Sequence, residues 1–267
     1  MDESKVLASL KLNPAVIRNI PHPTEAMMLV AVEKKGTVLQ YIKEPSQAVI
    51  QAALKSDPKA IAYVDNPSDD LTLSIVKMGW NYLEYIQNPS EACIREALSQ
   101  SGWAIRFVDN PSEDLQLLAV RQNYDALQYI KEPSEAVQLE AIKNNYQALR
   151  YISQPSPAVE KAAVLGDLQA IRLLQPLDQE RALRLLSITP GALGYIPSRL
   201  AISWQQVEAA LLVKLQEEPC DCNYIAELVR DGRYKEYGNR RVDLLQLIYD
   251  KGSAEAKRIA LDYWLRA

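Results

Sequence analysis

The sequence predicts an all-α protein, a solenoid of about nine 22-residue, two-helix repeats followed by a small C-terminal helical bundle or cap. Three observations carry that prediction. Proline stands at Pro23, Pro45, Pro67, Pro89, Pro111, Pro133 and Pro155, each 22 residues after the last and each followed by Ser or Thr. Between successive prolines the apolar residues fall in two short groups at helical spacing, without the alternation of a strand. Neither group is long enough for a helix that is stable alone in water, so each unit must bury its stripe against the next.

Counting from the proline, the first group is position 5 (Met27, Val49, Leu71, Cys93, Leu115, Val137, Val159), position 9, mostly Ala, and position 10 (Val32, Leu54, Val76, Leu98, Val120, Ile142, Val164). These spacings put one apolar face on a helix of about three turns. The second group is position 16, often Ala, position 17, Leu or Ile, and position 20 (Ile42, Val64, Ile86, Val108, Ile130, Ile152, Leu174). That face belongs to a helix of about two turns. Proline suits the first position of a helix, which makes Asn66, Asn88 and Asn110, just before it, candidate N-caps with Asp69, Glu91 and Glu113 completing a capping box. The Ser after each proline is the alternative cap.

The unit is shorter than ankyrin, tetratricopeptide or HEAT repeats. It resembles the very short two-helix repeats related to leucine-rich-repeat variants, and the phrase NPSEDLQLLAVRQNYDALQYI resembles tandem repeats in bacterial and phage proteins of undefined function. The resemblance covers about three quarters of the chain; it implies a helical stack and is almost silent on activity. The cysteine-bound cluster that such variant repeat proteins can carry is not implied here, because no Cys-rich segment precedes the repeats.

Residues 1–22 fit the register in degraded form, with Met1 in the proline slot and Asn19 where later units have Tyr, as a polar end-cap should. From Pro155 the pattern decays: Leu173 replaces the aromatic, Pro176 arrives one residue early, and Gly191, Gly194 and Pro197 break the following turn. The repeat domain is therefore placed at 1–197 and the C-terminal cap or module at 198–267. In that module Ser203 with Gln206 opens a helix reaching about Gln216; further helices are expected over 223–230 and 241–250, and the last ends at Trp264.

A 267-residue chain that is 48% hydrophobic has enough apolar surface for a sizeable core, and no run of about 18 apolar residues suggests a membrane span. The N-terminus does not read as a signal peptide, and three unevenly placed cysteines do not make a disulfide framework, so a soluble, cytoplasmic protein is expected. Catalytic chemistry is hard to find. The single histidine, His22, sits in a Pro-His-Pro turn, and there is no glycine-rich phosphate loop. Cys220 and Cys222 could supply two thiolates to zinc, yet no second ligand pair lies near them in sequence, so no metal, cofactor or enzymatic activity is expected.

The aromatic row at position 19, Tyr41, Tyr63, Tyr85, Phe107, Tyr129 and Tyr151, reads as a structural ladder beside the core. Positions where the repeat disagrees with itself are the better candidates for function, because the fold leaves them free. There stand Trp80, Trp103, Tyr124 and Tyr146 at positions 14 and 15, and Arg106 and Arg150 at position 18. Trp, Tyr and Arg are the types enriched at binding hot spots. These six make the candidate partner-binding patch of a non-enzymatic scaffold, adaptor or inhibitor whose partner is another protein. The phage-like resemblance implies a host protein as one target. The other expectation is nucleic acid, through the basic residues Arg230, Arg233, Lys235, Arg240 and Arg241; the chain is similar to HEAT-like DNA glycosylases at the level of a curved helical stack, and that resemblance implies a catalytic carboxylate whose nearest candidate is Asp125 beside Tyr124. The net charge of −4 disfavours a broad phosphate grip.

Overall fold

The computed structural model describes residues 3–230, 234–237 and 240–266. Nine pairs of one α-helix and one 3-10 helix follow one another along these residues, the regular tandem helix pairs of an all-α solenoid. The chain divides into two compact bodies, Met1–Pro133 and Ser134–Ala267.

In the first body the α-helices are Glu3–Leu12 (α1), Glu25–Lys34 (α2), Gln47–Ser56 (α3), Asp69–Met78 (α4), Glu91–Gln100 (α5) and Glu113–Gln122 (α6). Each is followed by one extended residue and a six-residue 3-10 helix: Pro14–Asn19, Gly36–Tyr41, Pro58–Tyr63, Trp80–Tyr85, Gly102–Phe107 and Tyr124–Tyr129. The second helix of the unit is thus 3-10 rather than α. Six residues give too few i→i+4 bonds to close, whereas i→i+3 bonds close at once, from the position-16 amide to the position-13 carbonyl and from position 20 to position 17.

The Ser or Thr after the proline, and not the asparagine, caps α2 to α5; at α6 Ser112 holds the same place without a side-chain capping bond. Thr24, Ser46, Ser68 and Ser90 accept from the amide three residues on, at 3.3–3.5 Å. The asparagines act one step earlier, at the corner between units. Asn66, Asn88 and Asn110 have φ of 46°, 49° and 48°, and Glu44 in the same slot has φ of 47°. Asn is the non-glycine residue that tolerates this left-handed conformation best; a Glu there carries strain.

The buried residues fall largely where the spacing predicts, although Val64 and Val108 at position 20 are only half-buried and one unit makes an exchange. Positions 9, 10 and 17 are buried in every unit of the first body from Pro23 onward, as are Met27, Val49, Cys93 and Leu115 at position 5. In the Pro67 unit, however, Leu71 is only half-buried and Thr72 takes the interior place. Its hydroxyl is satisfied by the carbonyls of Ser68 (3.3 Å) and Asp69 (2.9 Å) and lies 3.3 Å from the Cys93 sulfur, which removes the cost of burying it.

Stacking leaves a signature in hydrogen bonds one unit apart. Ser46 donates to Glu25 (2.6 Å), Gln100 to the Val76 carbonyl (3.0 Å) and Gln122 to the Ser99 carbonyl (3.1 Å). Helix α5 packs on both α4 and α6, and the 3-10 helix Gly102–Phe107 packs on Tyr124–Tyr129. Small residues allow this approach: a Cβ on Gly102 would lie 2.1 Å from the Ala119 carbonyl oxygen, and the Gly102 amide donates to Asn123 Oδ1 at 2.8 Å.

The second body continues with Glu135–Asn144 (α7), Pro157–Gly166 (α8) and Gln179–Leu186 (α9), paired with 3-10 helices Tyr146–Tyr151, Leu168–Leu173 and Pro190–Tyr195. Where the repeat spacing changes, Glu160 is buried and accepts from Arg181 (2.6 Å) and Arg184 (2.8 Å), an ion cluster in place of an apolar contact. Beyond it lie Trp204–Leu215 (α10), opened by the expected Ser203/Gln206 capping box, and Cys222–Arg230 (α11). Next come the strands Tyr234–Tyr237 (β1) and Arg240–Asp243 (β2), then Leu244–Lys251 (α12) and Ala254–Arg266 (α13). The helix expected over 241–250 therefore starts at Leu244: Asp243 caps it, accepting from the Gln246 amide, and Arg241 and Val242 pair with Glu236 and Lys235 in an antiparallel hairpin.

Helix α11 rests on the last 3-10 helix of the repeat. The Tyr224 hydroxyl donates to the Leu186 carbonyl (2.6 Å), and Glu227 accepts from Thr189 (2.8 Å) and from the Gly191 amide (3.0 Å). Burial, with the nearby carboxylates of Glu227, Asp221 and Glu217, holds the Tyr224 phenol far above its ordinary pKa, so it stays a donor. Among the described residues no helix is long and apolar enough to cross a membrane.

Two substitutions check this account of faces and corners. Leu127, 1% exposed, should cost about 2–5 kcal/mol when truncated to Ala. Its outward neighbour, Gln128→Ala, should cost less than about 0.5 kcal/mol in the same denaturant titration. Equal losses would mean that the helix faces are reversed. Separately, Glu44→Gly should raise stability by about 0.5 kcal/mol by relieving the left-handed corner; a loss on thermal melting would contradict strain there.

Candidate protein-binding face

The 3-10 helices carry the candidate face, because position 17 is buried and positions 16 and 20 are buried or, at Val64, Tyr82 and Val108, half-buried, which leaves positions 15, 18 and 19 turned outward. Positions 18 and 19 are adjacent in sequence, so a side chain at one can lie over a ring at the other. Trp80 opens the 3-10 helix Trp80–Tyr85, and Arg106 and Phe107 end the next one, Gly102–Phe107. The Arg106 Cζ lies 4.5 Å from the Phe107 ring centroid and 5.3 Å from that of Trp80, while the two centroids are 6.3 Å apart with their planes tilted by 33°. Guanidinium and rings thus form one cluster across two units, held by the attraction of a cation for aromatic faces. Among the described residues the Arg106 guanidinium makes no hydrogen bond and no ion pair.

Trp103 is a second outward aromatic. It stays 40% exposed, and its indole Nε1 donates to Asp125 Oδ1 of the next unit at 2.8 Å, which fixes the ring orientation. Tyr124, beside Asp125, is half-buried. Trp80, Trp103, Arg106 and Tyr124 therefore lie on three successive 3-10 helices of the first body. In the second body, Tyr146 is half-buried and Arg150 exposed on the 3-10 helix Tyr146–Tyr151.

The aromatic row is more open than a sealed ladder: Tyr41, Tyr63, Tyr129 and Tyr151 each keep about two fifths of their surface, whereas Tyr85 and Phe107 are half-buried. Lys59 lies 5.6 Å from the Tyr85 centroid, a second cation on an aromatic of the next unit. The row contributes rings to the outward face as well as packing beneath it. Beside Arg106 opens a cleft of about 550 Å³ bounded by Asp109, Gln116, Tyr129 and Lys131.

Two participants are not singled out by the sequence. Phe107 belongs to the ladder row, yet it is the closer ring under Arg106. Asp125, the candidate catalytic carboxylate, is engaged by the Trp103 indole. The available signal was the repeat itself: Trp103 and Asp125 are 22 residues apart and occupy the same position of adjacent units. Cys93 is fully buried against Thr72, and Cys220 is buried with its sulfur 3.0 Å from the Ser253 hydroxyl, while Cys222 is exposed. Among the described residues no group of three or more His, Cys, Asp or Glu side chains is arranged to hold a metal ion. Of the basic stretch 230–241, Arg233 lies outside the described residues, as do the side chains of Lys235 and Arg240; Arg230 and Arg241 are exposed.

No family model, no curated protein and no solved structure matches the chain.

Proposed function

We propose that this chain is a non-enzymatic protein-binding module, a scaffold, adaptor or inhibitor whose repeat presents the Trp80–Arg106–Phe107 cluster and Trp103 to another protein. The observation that carries this reading is the exposed Arg106 guanidinium, held on two rings with its N–H donors unused within the described chain. Free donors on an immobilised, partly desolvated side chain lose little entropy on meeting a partner. Rigid Trp, Tyr and Arg side chains are also the types that dominate interface energetics.

The repeat supports the reading from the other side. Positions 15 and 18 vary while positions 9, 10 and 17 stay apolar, so the buried faces do not dictate the varied residues. An inhibitor of a host protein, acting in the cytoplasm, is the particular form suggested by the resemblance to phage repeats.

The test is co-purification from cells expressing the tagged chain. One stoichiometric protein should be retained, and a Trp103→Ala, Arg106→Ala double variant with an unchanged melting transition should weaken its binding by about 30-fold or more, the range expected when a hot spot is removed. Normal binding by that variant would place the interface elsewhere.

A further inference from the structure

Arg106 presents two different surfaces. One lies on the Trp80 and Phe107 rings; the other borders the cleft of about 550 Å³ that also includes Asp109, Tyr129, Lys131 and Glu132. Two carboxylates share that cleft, yet Arg106 pairs with neither among the described residues. The rings hold the guanidinium where its own chain does not satisfy it.

A planar fork of N–H donors finds its best acceptor in a carboxylate, taken through two parallel hydrogen bonds. Lys131 adds a second positive charge to the cleft, and Tyr129, still 39% exposed, adds a hydroxyl. A phosphate chain fits less well, because Asp109 and Glu132 would repel each further negative charge. The same two carboxylates suit a polypeptide, whose backbone N–H groups need acceptors. The position-19 row continues in the units before and after, at Tyr85 and Tyr129, so a bound chain can extend beyond the cleft in both directions.

We propose that this cleft is the anchor point for an Asp or Glu side chain of the partner polypeptide, held bidentately by Arg106. The proposal rests on reading this face as protein-binding and specifies the chemistry that it recognises.

Selection of random peptides, displayed with both termini blocked, on the full chain tests it. Enriched peptides should share an Asp or Glu at one position, and changing that residue to Asn or Gln should weaken binding by about 10- to 100-fold, as expected for a charge-assisted pair. Arg106→Gln should weaken the parent peptide by the same factor and make the peptide substitution neutral; Arg106→Lys should fall between, since it keeps the charge and loses the fork. Thermal melting of each variant separates loss of binding from loss of folding. Enriched peptides without a shared acidic position, or additive losses in the double substitution, would overturn the carboxylate assignment while leaving the protein-binding reading intact. Absence of any enrichment would overturn the assignment too, with co-purification deciding the broader reading. A short oligothymidylate that competes with the peptides and loses binding in Arg106→Gln would show a phosphate site instead.

Discussion

Everything in this structure depends on one constraint: a ten-residue α-helix joined to a six-residue 3-10 helix has an apolar face and no means of burying it within its own unit. The neighbouring unit supplies the missing surface. Small residues at position 9 and a glycine such as Gly102 let successive backbones approach closely, and side-chain-to-carbonyl bonds such as Gln100 to Val76 and Gln122 to Ser99 fix the register. The left-handed corners at Glu44, Asn66 and Asn88 return the chain so that Ser46, Ser68 and Ser90 cap the next helices in the same place. Stability is then a sum of unit and interface terms rather than the property of one central core.

That arrangement also makes the 3-10 helices the place where outward side chains can vary. Their inward residues are committed to the buried faces, whereas their outward residues differ from unit to unit. The middle of the first body places Trp80, Trp103, Arg106 and Phe107 there, and contacts between adjacent units orient them before any partner arrives. Preorganisation of this kind is what allows a few side chains to carry an interface.

Much of the architecture was legible because a repeated sequence displays each position several times. Ala at position 9 and Leu or Ile at position 17 announced the buried faces. What the letters hid were choices between local geometries of similar cost. An Asn before a Pro suits both an N-cap and a left-handed corner, and only the path of the chain selects the corner. Six residues can close as an α or a 3-10 turn, and the exchange of Leu71 for Thr72 turns on a hydroxyl finding backbone carbonyls. The paired strands Tyr234–Tyr237 and Arg240–Asp243 are not legible in the sequence because each is only four residues long. For the candidate site, the residue types were visible but their pairing was not: Arg106 reaches back to a Trp 26 residues earlier, slightly more than one unit.

The central claim, that each unit is held by its neighbours, is tested most directly by native-state hydrogen exchange on the full chain carrying Ile105→Ala, a fully interior change in the Pro89 unit. The account predicts that opening free energies fall together in residues 67–88, 89–110 and 111–132, because loss of one unit removes the surface on which the other two rest. A fall confined to residues 89–110, with both flanking units unchanged, would contradict it.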